Sequence, residues 1–379
     1  MDFTRTDEQQ MLAEGLGKYL SDRYDLTASR TAAKVGAGWQ PEIWRDFAGE
    51  LGILGATLPA SVGGDDGGPE ELMVISEALG HALVIEPFVD SVVLGARLLA
   101  RIGGEQADEL AARIGRGEAL TAFAALEDGS GGNPVHQATT ARREGDEWVL
   151  DGAKAVVTTA PLADQLIVVA RVSGEVRDAD GVALFLVPLG VDAPEGLTLK
   201  EVRTVDDRRA ADITLASVRL PASALLTEDA GELIAYAWDE ATAVVVSEAV
   251  GAMRKVFDDT VEYSKQREQF GQPIGSFQAL QHRMVDMLLE LEQAVAAQYL
   301  ATLSLSAPAA ERAAAVSAAK VTIGRAARFI GQNSVQLHGA MGMTEELAIG
   351  HYFRRLTVIE NEFGSADAHI ARYRQATTV

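Results

Sequence analysis

The rhythm of hydrophobic positions changes twice along the chain. Up to about Ala119 they recur near a 3.6-residue period. Met11, Leu12, Leu16 and Leu20 follow Thr6 and Gln9, which have the spacing of a capping box. Pro41 stands at a first-turn position before Ile43, Trp44, Phe47 and Leu51. After a glycine-rich loop around Gly63, Gly64, Gly67 and Gly68, helical pattern resumes from Pro69 to Gly80, from Pro87 to Ile102 and from Glu105 to Gly115.

Between about Leu120 and Leu226 the apolar runs are short and bounded by Gly, Asp and Pro. Trp148–Gly152, Ala155–Thr158, Gln165–Ala170, Val182–Val187, Asp212–Leu215 and Val218–Pro221 read as strands of a sheet or barrel-like unit. From about Gly231 the helical period returns. Phe277, Leu280, Met284, Met287, Leu288 and Leu291 share one face, and Ala309 to Ile330 is an Ala-rich helix suited to close packing. Helices, then strands, then helices predict an α+β fold: an N-terminal α-helical domain (residues 1–119), a middle β-barrel-like domain (120–226) and a C-terminal helical bundle (227–379).

Composition narrows the chemistry. The 379 residues contain no cysteine, which excludes a disulfide framework, thiolate metal ligands and a Cys nucleophile. With 55 acidic against 33 basic residues the net charge is -22, a surface that repels nucleic acid and anionic membranes. The first ten residues lack the cationic start and apolar run of a secretory signal, and no long uncharged apolar stretch follows, so a cytoplasmic protein is expected. His282, His338 and His351 have no second ligand at metal-binding spacing, so no metal site is expected.

Three motifs stand out. Tyr263-Ser264-Lys265-Gln266-Arg267-Glu268-Gln269-Phe270-Gly271 leads into Phe277-Gln278 and His282. Gln336-Leu337-His338-Gly339-Ala340-Met341-Gly342 follows the Ala-rich helix, and Leu150-Asp151-Gly152-x-Lys154 leads to Val156-Val157-Thr158. In this order and spacing they resemble the acyl-CoA dehydrogenase family, flavoproteins that desaturate acyl-CoA thioesters between Cα and Cβ. Ala340 stands in place of a family glycine, and Val156 in place of an aromatic. Asp2-Phe3, Asp7 to Gln10 and the Leu51 to Gly64 stretch also fit, so the resemblance spans almost the whole chain.

The resemblance implies FAD as cofactor, an acyl-CoA substrate and an electron-transfer flavoprotein as electron acceptor. It also implies a homo- or heterotetramer in which FAD is shared between protomers. Such a dinucleotide needs a cation and backbone donors at its pyrophosphate. Arg267 can supply charge-assisted bidentate bonds. Gly339 allows close backbone approach beside Ala340, and Gln278 and Gln336 can bond adenine, ribose or phosphate. Phe270 offers a stacking face, and Thr158 can donate to the reactive edge of the isoalloxazine.

The family base is a glutamate in an aromatic-Glu-Gly-Thr segment near the C-terminus. Counting forward from Arg354 puts Phe363-Gly364-Ser365 over Glu-Gly-Thr. Counting back from Ala371-Arg372 puts Glu360 in the catalytic place. The first register keeps the small residues after the base and is favoured. The candidate catalytic carboxylates are Glu360, then Glu362. Some relatives place the base on the helix before the Arg267 motif, where this chain has Ala241, with Glu240 beside it and Thr242 in place of an arginine. Glu248, two turns on, is expected to make an interhelical hydrogen bond. The tail from Gly350 to His369 resembles the small subunit of two-component pimeloyl-CoA dehydrogenases and the paired enzymes of steroid side-chain breakdown. The alternative reading is therefore a non-catalytic subunit that completes a heteromeric FAD site. A third keeps the fold but runs an oxidase or desulfinase reaction.

Overall fold

The structure is a computed structural model that describes residues 5–378; Asp2 and Phe3 lie outside the described residues. Helices α1 (Asp7–Arg23), α2 (Leu26–Val35), α3 (Pro41–Gly49) and α4 (Pro69–His81) are followed by a π-helical stretch, Phe88–Arg97, that runs into α5 (Leu98–Ile102) and then α6 (Glu105–Gly115). Eight strands follow: β1 (Thr121–Ala124), β2 (Thr140–Glu144), β3 (Glu147–Thr158), β4 (Gln165–Arg171), β5 (Val182–Pro188), β6 (Leu197–Arg203), β7 (Arg209–Pro221) and β8 (Leu225–Thr227). The chain returns to helix in α7 (Gly231–Gln266), α8 (Gln278–Leu303), α9 (Ala309–His338), α10 (Ile349–Asn361) and α11 (Ala366–Thr377), with a small hairpin, β9 (Glu268–Gln269) and β10 (Gln272–Pro273), between α7 and α8. No helix among the described residues is long and apolar enough to cross a membrane.

Local signals account for several boundaries. The Thr6 hydroxyl accepts from the Gln9 amide at 3.2 Å while the Gln9 side chain accepts from the Thr6 amide at 3.1 Å, closing the capping box of α1. Pro41 occupies the first turn of α3, where its missing N–H costs nothing.

By compactness the chain divides into two units. One comprises Ala28–Gly68 with Ile85–Ala241, and the other Met1–Thr27 with Pro69–Val84 and Thr242–Val379. The first is organised by the sheet, in the order β6-β7-β3-β2-β4-β5-β8, with β1 parallel to β4. The ladder does not close. The barrel-like expectation resolves into an open mixed sheet, because β1 and β2 pair along different lengths of β4 while β6 and β8 end the ladder. Leu150, Leu166, Val168, Phe185, Ile213 and Leu215 fill its core, and Trp148 meets Phe185 edge-on at 5.3 Å. The stretch that reads as two strands, Trp148–Gly152 and Ala155–Thr158, is one strand with register shifts, and the same holds for the two segments of β7.

The second unit is helical. Its α4 and α7 cross where neither carries a side chain: a Cβ on Gly251 would lie 1.9 Å from the Glu77 carbonyl oxygen, and one on Gly80 2.0 Å from that of Glu248. The small residues of α9 serve the same end. Ala319, Gly324, Ala326, Ala327 and Gly331 are buried, and a Cβ on Gly331 would meet the Phe353 ring at 3.0 Å.

Candidate functional site

In the helical unit, α7 ends at Gln266 and the chain turns through Arg267 into the hairpin. Its two-residue loop is Phe270 at φ +55° and Gly271 at φ +81°, so both central residues are left-handed, as in a type I′ turn. A phenylalanine in that conformation is strained, and burial does not stabilise it, because the residue is 93% exposed, with its ring edge-on to Phe277. Arg267 is anchored through its backbone: its N–H donates to the Tyr263 carbonyl and its carbonyl accepts from Ile274, both at 2.8 Å. Its side chain is exposed, as are Gln278 at the start of α8 and His282 one turn on.

The second motif lies at the end of α9. Gly339 terminates the helix at φ +61°, with open space where a Cβ would be, so it is the backbone conformation that favours glycine there. Ala340 is exposed and lies outside the left-handed region, so a methyl group fits where the family pattern has glycine. Gly342 is held to glycine by space: a Cβ would lie 2.8 Å from the Val335 carbonyl oxygen. Tyr263 stacks on His338 at 4.2 Å, and His338 Nδ1 donates to the Ser334 carbonyl at 2.8 Å. That stack brings the two motifs together, leaving Gln336, Gly339 and Ala340 exposed. An exposed guanidinium, two exposed amides, an exposed aromatic ring and a glycine at a helix end form a donor set that fits a dinucleotide's phosphates, ribose and adenine.

The third motif lies in the sheet unit. Gly152 has φ +153°, and a Cβ there would meet the Thr139 hydroxyl at 2.4 Å. Lys154 is fully buried, with its Nζ 2.6 Å from the Glu127 carboxylate and bonded to the Gln137 amide oxygen. Burial lowers its pKa to about 8 against the pull of Glu127. The motif lysine is thus a core ion pair. At the end of β3, Thr158 is half-buried and donates its hydroxyl proton to Asp90 at 2.7 Å. That proton is therefore not free for the isoalloxazine edge, contrary to the donor role its sequence position suggested. Thr159 donates to the other Asp90 oxygen, also at 2.7 Å.

The base segment connects α10 to α11. Phe363 is buried at φ +59° and Gly364 follows at φ +115°, while the Ser365 hydroxyl caps α11 by accepting from Ala368. Lys320 on α9 donates to the carbonyls of Ile359, Glu360 and Gly364 at 2.8, 3.0 and 3.1 Å, holding the end of α10 and the turn together. Burial lowers the Lys320 pKa to about 8, opposed by the Glu362 and Glu360 carboxylates.

Each candidate carboxylate is engaged by arginine. Glu360 takes two bonds from Arg328, the longer at 3.0 Å. Glu362 lies 2.9 Å from Arg355, whose Nε and Nη2 also hold both oxygens of Glu248 at 2.7 Å. The interhelical bond expected of Glu248 is therefore present, between α7 and α10. In the sheet unit Glu240 is buried between Arg97 at 2.7 Å and Arg101 at 3.4 Å, and Arg101 lies 3.9 Å over the Tyr236 ring. Ala241 and Thr242 are both fully buried. Sequence reasoning missed Asp90, Arg97, Lys320 and Arg328. Of these only Asp90 carried a local signal, as a lone acid within the apolar run from Phe88 to Leu94.

Comparison with known proteins places the whole chain among relatives of one family. Family descriptions of the acyl-CoA dehydrogenase N-terminal, middle and C-terminal domains match residues 6–118, 122–218 and 232–376. The chain is 31% identical over 362 residues to the acyl-CoA dehydrogenase FadE12 of Mycobacterium tuberculosis, covering 92% of this chain and 90% of that one. It superimposes with a TM-score of 0.89 on a chain of the ChsE4-ChsE5 complex from Mycobacterium tuberculosis, at 26% identity and full coverage of both chains. A glutaryl-CoA dehydrogenase from Mycobacterium smegmatis in complex with FADH2 gives a TM-score of 0.88 at 25% identity, covering 99% of this chain and 95% of that one. Three consecutive domain matches and a near full-length relative place this chain in the acyl-CoA dehydrogenase family.

Proposed function

We propose that the chain takes part in FAD-dependent α,β-dehydrogenation of an acyl-CoA thioester to the trans-2-enoyl-CoA, as one subunit of a heteromer whose other subunit supplies the catalytic base. Bound FAD supplies the acceptor for the two electrons and the β-hydrogen. Arg267, Gln278, Gln336 and the backbone at Gly339 and Ala340 would hold its phosphate and nucleoside parts, with Phe270 offering a stacking face, and Thr158 would serve the flavin ring. An electron-transfer flavoprotein then takes the electrons.

The observation that carries the subunit role is the state of the carboxylates. A base must present a free lone pair to the substrate's α-proton. Here Phe363 stands in the favoured base register, and Glu240, Glu248, Glu360 and Glu362 are each ion-paired with a guanidinium that competes with substrate for the carboxylate. The likeness to a chain of the ChsE4-ChsE5 complex supports a paired assembly. In the assembled protein, Glu360→Gln and Glu362→Gln should each leave acyl-CoA-dependent bleaching of the flavin nearly unchanged. A loss of about 100-fold or more from either variant would contradict this reading.

A second reading keeps Glu360 as the chain's own base. It is favoured by the looseness of that pair: Arg328 is 60% exposed, so the guanidinium can swing into solvent when substrate arrives. The Glu360→Gln variant separates the two readings.

A further inference from the structure

We infer that Asp90 is a positioning residue that makes Thr158 a hydrogen-bond acceptor, and not a donor, toward the reactive edge of the flavin. The inference rests on the reading above, in which the chain binds FAD with Thr158 at that edge.

Asp90 is the third residue of the π-helical stretch Phe88–Arg97. Such segments are rare and occur mostly as single-turn bulges at functional sites. This one is pressed against the start of β1, where the Ser91 hydroxyl accepts from the Thr121 amide at 3.2 Å and a Cβ on Gly95 would lie 2.2 Å from the Thr121 hydroxyl. Asp90 therefore has little freedom to move away from the end of β3. One of its oxygens takes the Thr158 proton and the other the Thr159 proton, each at 2.7 Å. An ionised carboxylate only accepts, and a threonine hydroxyl has a single proton to give. Thr158 Oγ1 is left with lone pairs alone.

The backbone around Thr158 is held in a costly shape. Val156 at φ +49° and Thr159 at φ +66° are both β-branched residues in the left-handed region, each costing about 1–2 kcal/mol. The Val156 amide donates to Asp212 at 3.0 Å and the Thr159 amide to the Arg209 carbonyl at 3.0 Å, so Thr158 is fixed from both sides. Strain of this kind persists only where surrounding contacts over-determine it, and it concentrates at functional sites.

Flavin N5 accepts a hydrogen bond when oxidised and donates one when reduced. A threonine restricted to accepting therefore matches the reduced form, whereas a free hydroxyl could serve the oxidised form. The negative charge of Asp90 acts on the same equilibrium in the opposite direction, but it does so whether or not Thr158 is present. The two effects can therefore be separated.

The test is the midpoint potential of the flavin in the purified, FAD-loaded protein. Thr158→Ala should lower it, by about 30 mV for each tenfold loss in the reduction equilibrium of a two-electron couple. Thr158→Ser, which keeps the hydroxyl, should restore the original value. In an Asp90→Ala background, where the side-chain acceptor is removed and the hydroxyl proton is released, Thr158→Ala should no longer lower the potential. A rise or no change on Thr158→Ala overturns the inference, as does an equal fall in both backgrounds. The Thr158→Ala and Thr158→Ser pair decides the sign even if Asp90→Ala does not fold. Absence of flavin binding by the unmodified protein would instead defeat the parent reading.

Discussion

Gly339, Ala340 and Gly342 lie within four residues, and each meets a different physical demand. Gly339 needs a left-handed backbone, Gly342 needs room beside Val335, and Ala340 needs neither. Gly339→Ala should therefore destabilise the protein by about 1–2 kcal/mol and weaken FAD retention, while Ala340→Gly should cost no more than about 1 kcal/mol. Denaturant titration of both variants, with flavin content read alongside, checks the contrast. The sequence marked this stretch as a candidate cofactor site, but not which glycine is conformational and which is steric. Contacts between distant segments were hidden altogether. Asp90 reaches Thr158 across 68 residues, and Glu360 and Glu362 looked available because Arg328 and Arg355 come to them from separate turns and helices.

At the scale of elements, hydrophobic period located the long helices and the buried strands β3, β4, β5 and β7, since both rest on regular burial of one face. It missed β1, only four residues long, and β2 and β6, which carry mostly exposed polar residues; it split β3 after Gly152, beside a register shift, and β7 at Ser217, which is left-handed within a continuing ladder. The π-helical stretch was equally hidden, because every residue in it but Asp90 is buried and no stripe survives to be read. Two predictions belong here. Gly251→Ala would force α4 and α7 apart and should destabilise by about 1–3 kcal/mol or more, measurable as a lowered denaturation midpoint. Lys320, with a pKa of about 8 when folded against 10.5 as a free side chain, gives up its proton in the folded chain first. The unfolded chain then binds more protons between those values, so this group's contribution to stability rises with pH across that window, by up to about 1.4 kcal/mol per pH unit. Comparing wild type with Lys320→Met at pH 8 and pH 10 should show wild type gaining relative to the variant.

For the whole molecule, the net charge of -22 opposes binding to nucleic acid and anionic surfaces, and under the proposed function FAD and CoA phosphates would be met by a few placed cations such as Arg267. Apolar groups nevertheless reach the surface along α8, where Val285, Leu288, Leu289 and Leu300 are exposed, Leu289 by 56%. The Arg267 hairpin, a candidate cofactor-binding element, follows the same pattern, with Phe270 93% exposed. Both features fit an assembly in which subunits cover one another and share FAD. Leu289→Glu should reduce the assembled mass in light scattering while leaving the helical content intact.

The central claim is that this chain needs a second subunit's base to oxidise acyl-CoA. Its most direct test is an anaerobic titration with acyl-CoA, followed at the visible absorbance of the flavin, on the chain purified alone with FAD and on the complex isolated with its natural partners. The account predicts bleaching in the complex and none in the chain alone. Full bleaching of the chain alone would contradict it.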